Sequence, residues 1–313
     1  MPEWLIERGI GETRCIALEG EEIVEARILL DGMARAGAAF SAKLKSTRSP
    51  ALAVAGGEEY LLPKGAGAAT EGSSVVIQVT RERIPGAEPW KRPLARVGET
   101  ERADGDPLAD GETMVFPAPS DRFGAAGWDA LIDQARTGVV AFTGGELRIS
   151  PTPAMTLIDV DGYLPAAELA VRGAGAAAKA IRRLGIGGSI GIDLPTIAGK
   201  AARQAAAAAI DEYLPQPFER TAVNGFGFVQ IVRPRERASL VELAQDRAAF
   251  EARALLRRAA LERAGARTLV AGPAVIAVLE THRPWLDALS AQLGGPVGLR
   301  PDAALPISAG YAA

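Results

Sequence analysis

Histidine and cysteine each occur once in this 313-residue chain, as His282 and Cys15. That scarcity excludes disulfides, thiolate zinc sites, two-histidine metal centres and a Cys–His dyad. Any catalysis has to run on carboxylates, hydroxyls, amides and cations. Long apolar runs are also missing: none reaches the ~18 residues of a membrane-spanning helix, and residues 1–20 carry no basic-then-apolar leader. The expectation is a cytoplasmic protein with no membrane partner. What is present, 48% hydrophobic and 23% charged residues, belongs to a globular chain long enough for two domains.

The net charge of −3 is unevenly spread. Residues 1–98 hold 13 basic and 13 acidic side chains, and residues 122–313 hold 21 basic against 18 acidic. The intervening residues 99–121 hold seven acids and one arginine. This segment is rich in Gly, Pro, Asp and Glu without helical or strand period, which predicts a solvated linker between two domains.

Before it, short runs such as TRCIALEG, EIVEARILL, AFSAKLKS, ALAVAGG, EYLLP and SSVVIQVTRER, separated by Gly-rich turns, predict a small antiparallel barrel over 1–98. After it, strands and helices mix. GVVAF, GELRIS, AMTLIDVDG, SIGIDL and GFGFVQIVR predict strands. WDALIDQA, LAVRGAGAAAKAIRRLG, IAGKAARQAAAAAIDEYL and the polar stretch from Ser239 to Gly265 predict helices. The fold class expected is α+β, with a barrel followed by an α/β domain over 122–313.

Chemistry concentrates at two strand ends. Asp159 and Asp161 are two apart in AMTLIDVDG, so along a strand both project to one face. Asp193 closes the apolar run of SIGIDL. If the strands are neighbours, three carboxylates converge and repel one another until protons or a divalent cation neutralise them, and hard oxygen ligands suit Mg²⁺ or Mn²⁺. Taken alone, Asp159 and Asp193 equally fit turn or helix-cap positions. Arg233, Arg235 and Arg237 follow GFGFVQIV at two-residue spacing, and Arg182 and Arg183 precede a Gly-Gly turn. These arginines fit either phosphate contacts along a groove or a solvated surface.

The order Ile158-Asp159-Val160-Asp161, then Ile186-Gly187-Gly188, then Ile190-Gly191-Ile192-Asp193, then Gly227-Phe228-Val229-Gln230-Ile231-Val232-Arg233-Pro234-Arg235 resembles the catalytic core of the ribonuclease E/G family. Gly11-Glu12-Thr13-Arg14 and TLVAGPAVIAVLE resemble that family's opening strands and last subdomain. The resemblance implies an OB-like RNA-binding barrel, then a deoxyribonuclease-I-like catalytic domain. It implies a Mg²⁺-dependent endoribonuclease that hydrolyses single-stranded RNA, with Asp159 and Asp193 holding the metal and Asp161 helping to position water. On the barrel it implies a stacking aromatic at Tyr60, which also fits a core position, and phosphate contacts from Lys43, Lys45, Arg48 and Lys91.

The chain departs from the family at several places. Asp161 stands where the family has Asn, Gln230 where it has Glu, and Val232 where it has Thr. The region sensing a 5′-monophosphate and the Cys-Pro-x-Cys zinc link are absent. The alternative function is a catalytically weak RNA-binding protein that retains the fold. A third is a structural module whose Arg-rich helix binds another protein. Zinc cannot join subunits here, so the expected state is a monomer or a homodimer, with Leu240, Leu243, Phe250, Leu255, Leu256 and Leu261 of the 239–265 helix as candidate interface.

Overall fold

The computed structural model describes residues 2–85, 91–98, 100, 111–117 and 120–313. In chain order the strands and helices are β1 (Glu3–Arg8), β2 (Glu12–Glu19), β3 (Glu22–Leu30), β4 (Ala39–Ser46), β5 (Ala51–Ala55), β6 (Glu58–Leu62), β7 (Ser74–Arg81), β8 (Leu94–Val97) and β9 (Glu112–Met114). There follow α1 (Arg122–Ala125), α2 (Trp128–Thr137), β10 (Val139–Phe142), β11 (Gly145–Pro151), β12 (Thr156–Gly162), α3 (Ala166–Arg183), β13 (Gly188–Asp193), α4 (Lys200–Tyr213), β14 (Glu219–Arg220) and β15 (Phe228–Arg233). The chain ends with α5 (Leu240–Leu243), α6 (Arg247–Ala260), β16 (Arg267–Ala271), α7 (Pro273–Thr281), α8 (Arg283–Leu293), β17 (Val297–Pro301) and β18 (Tyr311–Ala312). The protein is therefore mixed α+β. Among the described residues no helix is long and apolar enough to cross a membrane.

Two compact units interleave in sequence: one is Met1–Asp31, Asp110–Ala130 and Leu243–Ala313, the other Gly32–Ala109 and Leu131–Glu242. This differs from the expected barrel over 1–98 and catalytic domain over 122–313. Strands β1 to β3 are not in the barrel. They form a sheet of order β3-β2-β1-β9, in which Glu112–Met114, expected as linker, pairs in parallel with β1. Most of the rest of the expected linker, residues 99, 101–110, 118 and 119, lies outside the described residues.

The first unit carries a buried charge cluster. The Arg14 guanidinium donates to Glu7 at 2.5 Å and to Glu12 at 2.7 Å, Arg253 donates to Glu12 at 2.9 Å, and Arg257 donates to Glu7 at 2.9 Å and to Asp121 at 2.6 Å. Nη2 of Arg14 has no hydrogen-bond partner among the described residues, and the guanidinium lies 5.6 Å from the centre of the Phe116 ring. These pairs join residues 241 and 250 positions apart, which no local pattern reveals. They explain why the first strands belong with α6.

The same helix overturns the expected interface. A break before Asp246, whose carboxylate accepts from Ala249 N at α6's start, divides the expected 239–265 helix into α5 and α6. Leu240, Leu243, Phe250, Leu255 and Leu256 are all buried inside the chain. Leu255 and Leu256 pack with Leu269, Leu279, Leu289 and Leu293 from β16, α7 and α8. Glu251, Arg253 and Arg257 on the same helix are buried as well.

In the second unit β4 to β8 close a five-stranded barrel of order β4-β5-β6-β8-β7. Alternation sets its interior: Ala42, Leu44, Ala51, Ala53, Leu62, Ile77 and Val79 point in, while Lys43 and Lys45 point out. Tyr60 follows the same period and is only 3% exposed, its ring edge-on to Phe40 at 5.5 Å. It is a core residue, not an exposed stacking platform.

The rest of this unit is a six-stranded sheet, β10-β11-β12-β13-β15-β14, parallel only between β12 and β13, which α3 connects. Leu147, Ile149, Ile158, Val160, Ile190, Ile192, Val229 and Ile231 are buried on one face. Small residues let α3 come close to it: a Cβ on Gly173 would stand 2.2 Å from Val160 Cγ1. Each of these aliphatic side chains contributes roughly 1.5–3 kcal/mol by burial. A one-residue slip of β12 would exchange Ile158 and Val160 for Asp159 and Asp161 in that core, so the register is firmly set.

Candidate metal and RNA site

The opposite, open face of this sheet collects the acidic residues. Asp159 pairs with Asp193 across the parallel β12–β13 ladder, and Asp161 follows on the same side of β12. Arg148 on β11 lies opposite Asp159, and Phe228 on β15 lies opposite Asp193. One row across four strands therefore reads Arg148, Asp159, Asp193, Phe228, with neighbouring strands about 4.8 Å apart. All three aspartates are exposed.

Partial burial, and after it the negative charges of Asp161 and Asp193, push the Asp159 carboxyl above its usual range. Arg148 opposes the shift, but its guanidinium is shared with Glu146 at 2.5 Å. Beside the carboxylates lies an apolar floor that sequence reading missed. A Cβ on Gly191 would stand 2.6 Å from the Phe228 ring and 3.1 Å from Leu157 Cδ2, so these two side chains meet over a glycine. The signal was available in alternation, because Leu157, Asp159 and Asp161 share a face.

The loop entering β15 is pinned next to Asp193. The Asn224 side-chain oxygen accepts from the N–H groups of Phe226 at 2.9 Å and Phe228 at 3.0 Å. Leu194 N–H donates to the Gly227 carbonyl at 3.3 Å. Gly227 has φ +94° and a Cβ there would stand 2.2 Å from the Leu194 oxygen, so no other residue fits without strain. Gly227→Ala is expected to cost about 1–3 kcal/mol. A urea titration checks it: the midpoint falls with an unchanged slope, and an unchanged midpoint would contradict the role given to Gly227.

The arginines are not gathered round the carboxylates. Arg233 pairs with Gly188, at the other end of β13 from Asp193, about 17 Å along the strands. Its Nη1 donates to the Ile186 carbonyl at 3.2 Å. Arg235 is ion-paired with Glu242, whose carboxylate also accepts from Ser239 N–H at 2.8 Å and Oγ at 2.7 Å, so Arg235 holds a corner of the chain. Arg182 and Arg183 end α3 ahead of β13, and Arg183 donates to Gln134 at 2.9 Å. Gln230 donates its amide to Ser189 Oγ at 3.1 Å.

On the barrel Lys43 is exposed, Lys45 is paired with Glu59 at 2.5 Å, and Lys91 donates to the Pro153 carbonyl at 3.4 Å. An open groove of about 560 Å³ runs between Gly56–Glu59 and Arg83, Lys91 and Arg92.

Among the described residues no three histidine, cysteine or carboxylate side chains are arranged to enclose a metal ion. Mg²⁺ does not require that: one or two carboxylates hold it, with water and substrate phosphate completing the shell. Asp159 and Asp193, paired in register and solvent-facing, would suit such a role. Their mutual repulsion is the charge a divalent cation removes. No family model matches the chain, and no curated protein matches it either.

Proposed function

We propose that this chain is a Mg²⁺-dependent endoribonuclease that hydrolyses phosphodiester bonds in single-stranded RNA. The observation that carries the reading is the in-register pair Asp159–Asp193 with Asp161 on the same open face. The motif resemblance to the ribonuclease E/G family falls on these same strands. Asp159 and Asp193 would hold Mg²⁺ or Mn²⁺. When bound, the cation supplies neutralising charge and makes water a better nucleophile at neutral pH.

Asp161 accepts a hydrogen bond from the attacking water and fixes its direction. Leu157 and Phe228 limit solvent beside the pair, which strengthens the electrostatics there. Lys43, Lys91 and Arg233 bind phosphates away from the cut. An OB-type barrel is supported by the strand order of β4 to β8, in which the first strand pairs with the fourth and the third runs parallel to the fifth. A deoxyribonuclease-I-like sheet is our assignment for β10 to β15.

Incubating the purified protein with labelled single-stranded RNA, with Mg²⁺ and then with a chelator, tests the reading. Internal cuts only with Mg²⁺ are expected. RNA binding without cleavage would transfer the assignment to a non-catalytic RNA-binding protein. Because this sequence shows no counterpart of the 5′-sensing region of the family it resembles, substrates ending in a 5′-monophosphate or a 5′-hydroxyl should be cut at rates within about a few-fold of each other. A large monophosphate preference would mean that a phosphate pocket exists elsewhere in the chain.

A further inference from the structure

The two most exposed large hydrophobic side chains among the described residues stand at the acidic end of the six-stranded sheet. Tyr163 is 85% exposed and Phe226 is 81% exposed. Tyr163 lies two residues beyond Asp161 as the chain leaves β12, and Phe226 lies two residues before Phe228 as it enters β15. Both therefore sit at the end of the sheet where Asp193 closes β13, one on each side of that strand.

Their backbones are held firmly although their rings are bare. Tyr163 N–H donates to the Gly144 carbonyl at 3.1 Å. The turn beside it is close-packed: a Cβ on Gly162 would stand 2.3 Å from the Gly144 oxygen, and one on Gly145 would stand 2.2 Å from the Asp161 oxygen. The Phe226 carbonyl accepts from Thr196 Oγ1 at 3.3 Å, and its N–H is capped by Asn224. Rigid backbone presenting an unburied ring is a poor way to build a core and a good way to build a contact surface.

Charge decides what such rings meet. Asp159, Asp161 and Asp193 make this end hostile to phosphate in the absence of a cation, while Arg233 and Arg235 lie at the far end of the sheet. Affinity for a nucleic acid here has to come from the uncharged part of each nucleotide. Strands β12 and β15 flank β13, so the lateral gap between these two strands is about 10 Å, with Tyr163 four residues and Phe226 two residues beyond the row of Asp159, Asp193 and Phe228. That gap is about three steps of a stacked strand at roughly 3.4 Å each, or two bases splayed apart with their linking phosphodiester over the carboxylates. Faces of bases are open in this way only in single strands.

We infer that Tyr163 and Phe226 are base-stacking clamps that hold the nucleotides on either side of the scissile phosphodiester. This rests on the ribonuclease reading and adds to it a positioning device and a requirement for unpaired bases.

The test uses a short oligoadenylate carrying one 2-aminopurine, bound with Ca²⁺ in place of Mg²⁺ so that the carboxylates are neutralised, and read before any strand is cut. Wild-type protein should bind it and quench the probe. Tyr163→Ala and Phe226→Ala should each raise Kd by at least about fivefold and reduce the quenching, with wild-type urea midpoints because neither ring is buried. Phe226→Trp should retain binding, whereas Phe226→Leu should behave as the alanine variant. An abasic probe should bind wild type as weakly as it binds the double alanine variant. Unchanged Kd in both alanine variants, or full binding by Phe226→Leu, overturns the clamp while leaving the ribonuclease reading in place. Failure of wild type to bind any RNA overturns both.

Discussion

If the chain is the ribonuclease proposed, Asp159→Asn and Asp193→Asn should each reduce Mg²⁺-dependent cleavage of single-stranded RNA by at least about a hundredfold. Each removes one of the two carboxylates that face each other across β12 and β13, and a metal's electrostatic contribution is worth several kcal/mol at about tenfold per 1.4 kcal/mol. Stability moves the other way. A carboxyl whose folded-state pKa is raised binds its proton more tightly in the folded than in the unfolded chain, so its contribution to stability falls as pH rises through that raised value. At pH 7 burial and the charges of Asp161 and Asp193 disfavour ionised Asp159, and the neutral amide relieves this. Asp159→Asn should therefore be at least as stable as wild type at pH 7. Mg²⁺ should raise the melting temperature of wild type and not of the variant. Undiminished cleavage by either variant would end the metal assignment, and an equal Mg²⁺ response in melting would move the cation elsewhere.

Arg257→Ala should destabilise the protein by about 3–5 kcal/mol, the cost of taking one of its two guanidinium partners from a buried carboxylate. Arg257 is 4% exposed and pairs with Glu7, itself 1% exposed. Its second partner, Asp121, is held below the usual carboxylate range: burial works against the charge, but the Arg257 guanidinium and the Gly124 N–H outweigh it. Replacing both partners, as Arg257→Met with Glu7→Gln, should recover part of the loss, because no full charge is then stranded at that point. Guanidinium chloride titrations of the single and double variants measure this. A single-variant loss under about 1 kcal/mol would show that water reaches the cluster.

The strands that carry the carboxylates were legible because period-two alternation is local: Ile158 and Val160 declare the buried side of β12, and Asp159 and Asp161 follow on the other. The same rule applied to EEYLL would have turned Tyr60 inward with Leu62, against the expectation drawn from resemblance. The first strands read as part of the barrel because nothing near Glu7 or Glu12 announces guanidinium partners more than 240 residues away. The leucines of α5 and α6 were legible as apolar but not as internally used, since a helix's amphipathic stripe does not say whether its own chain or another covers it. Arg233 and Arg235 close the Gly227–Arg235 motif whose other end lies beside Asp193, yet the length of β15 carries them away from it. Tyr163 and Phe226 went unnoticed because exposure, the property that distinguishes them, is written in tertiary structure alone.

The interleaving of the two units has a consequence for synthesis. The strands bearing Glu7, Glu12 and Arg14 leave the ribosome well before α6, and Arg253 and Arg257 follow 241 and 250 residues after the carboxylates they pair with. At about 5–20 residues per second the nascent chain carries β1 to β3 without those guanidinium partners for roughly 10–50 s. Residues 32–242 contain all of the barrel and six-stranded-sheet unit, and that unit can fold during this wait. The carboxylate site is thus available to the chain before the unit that holds its two ends has been made.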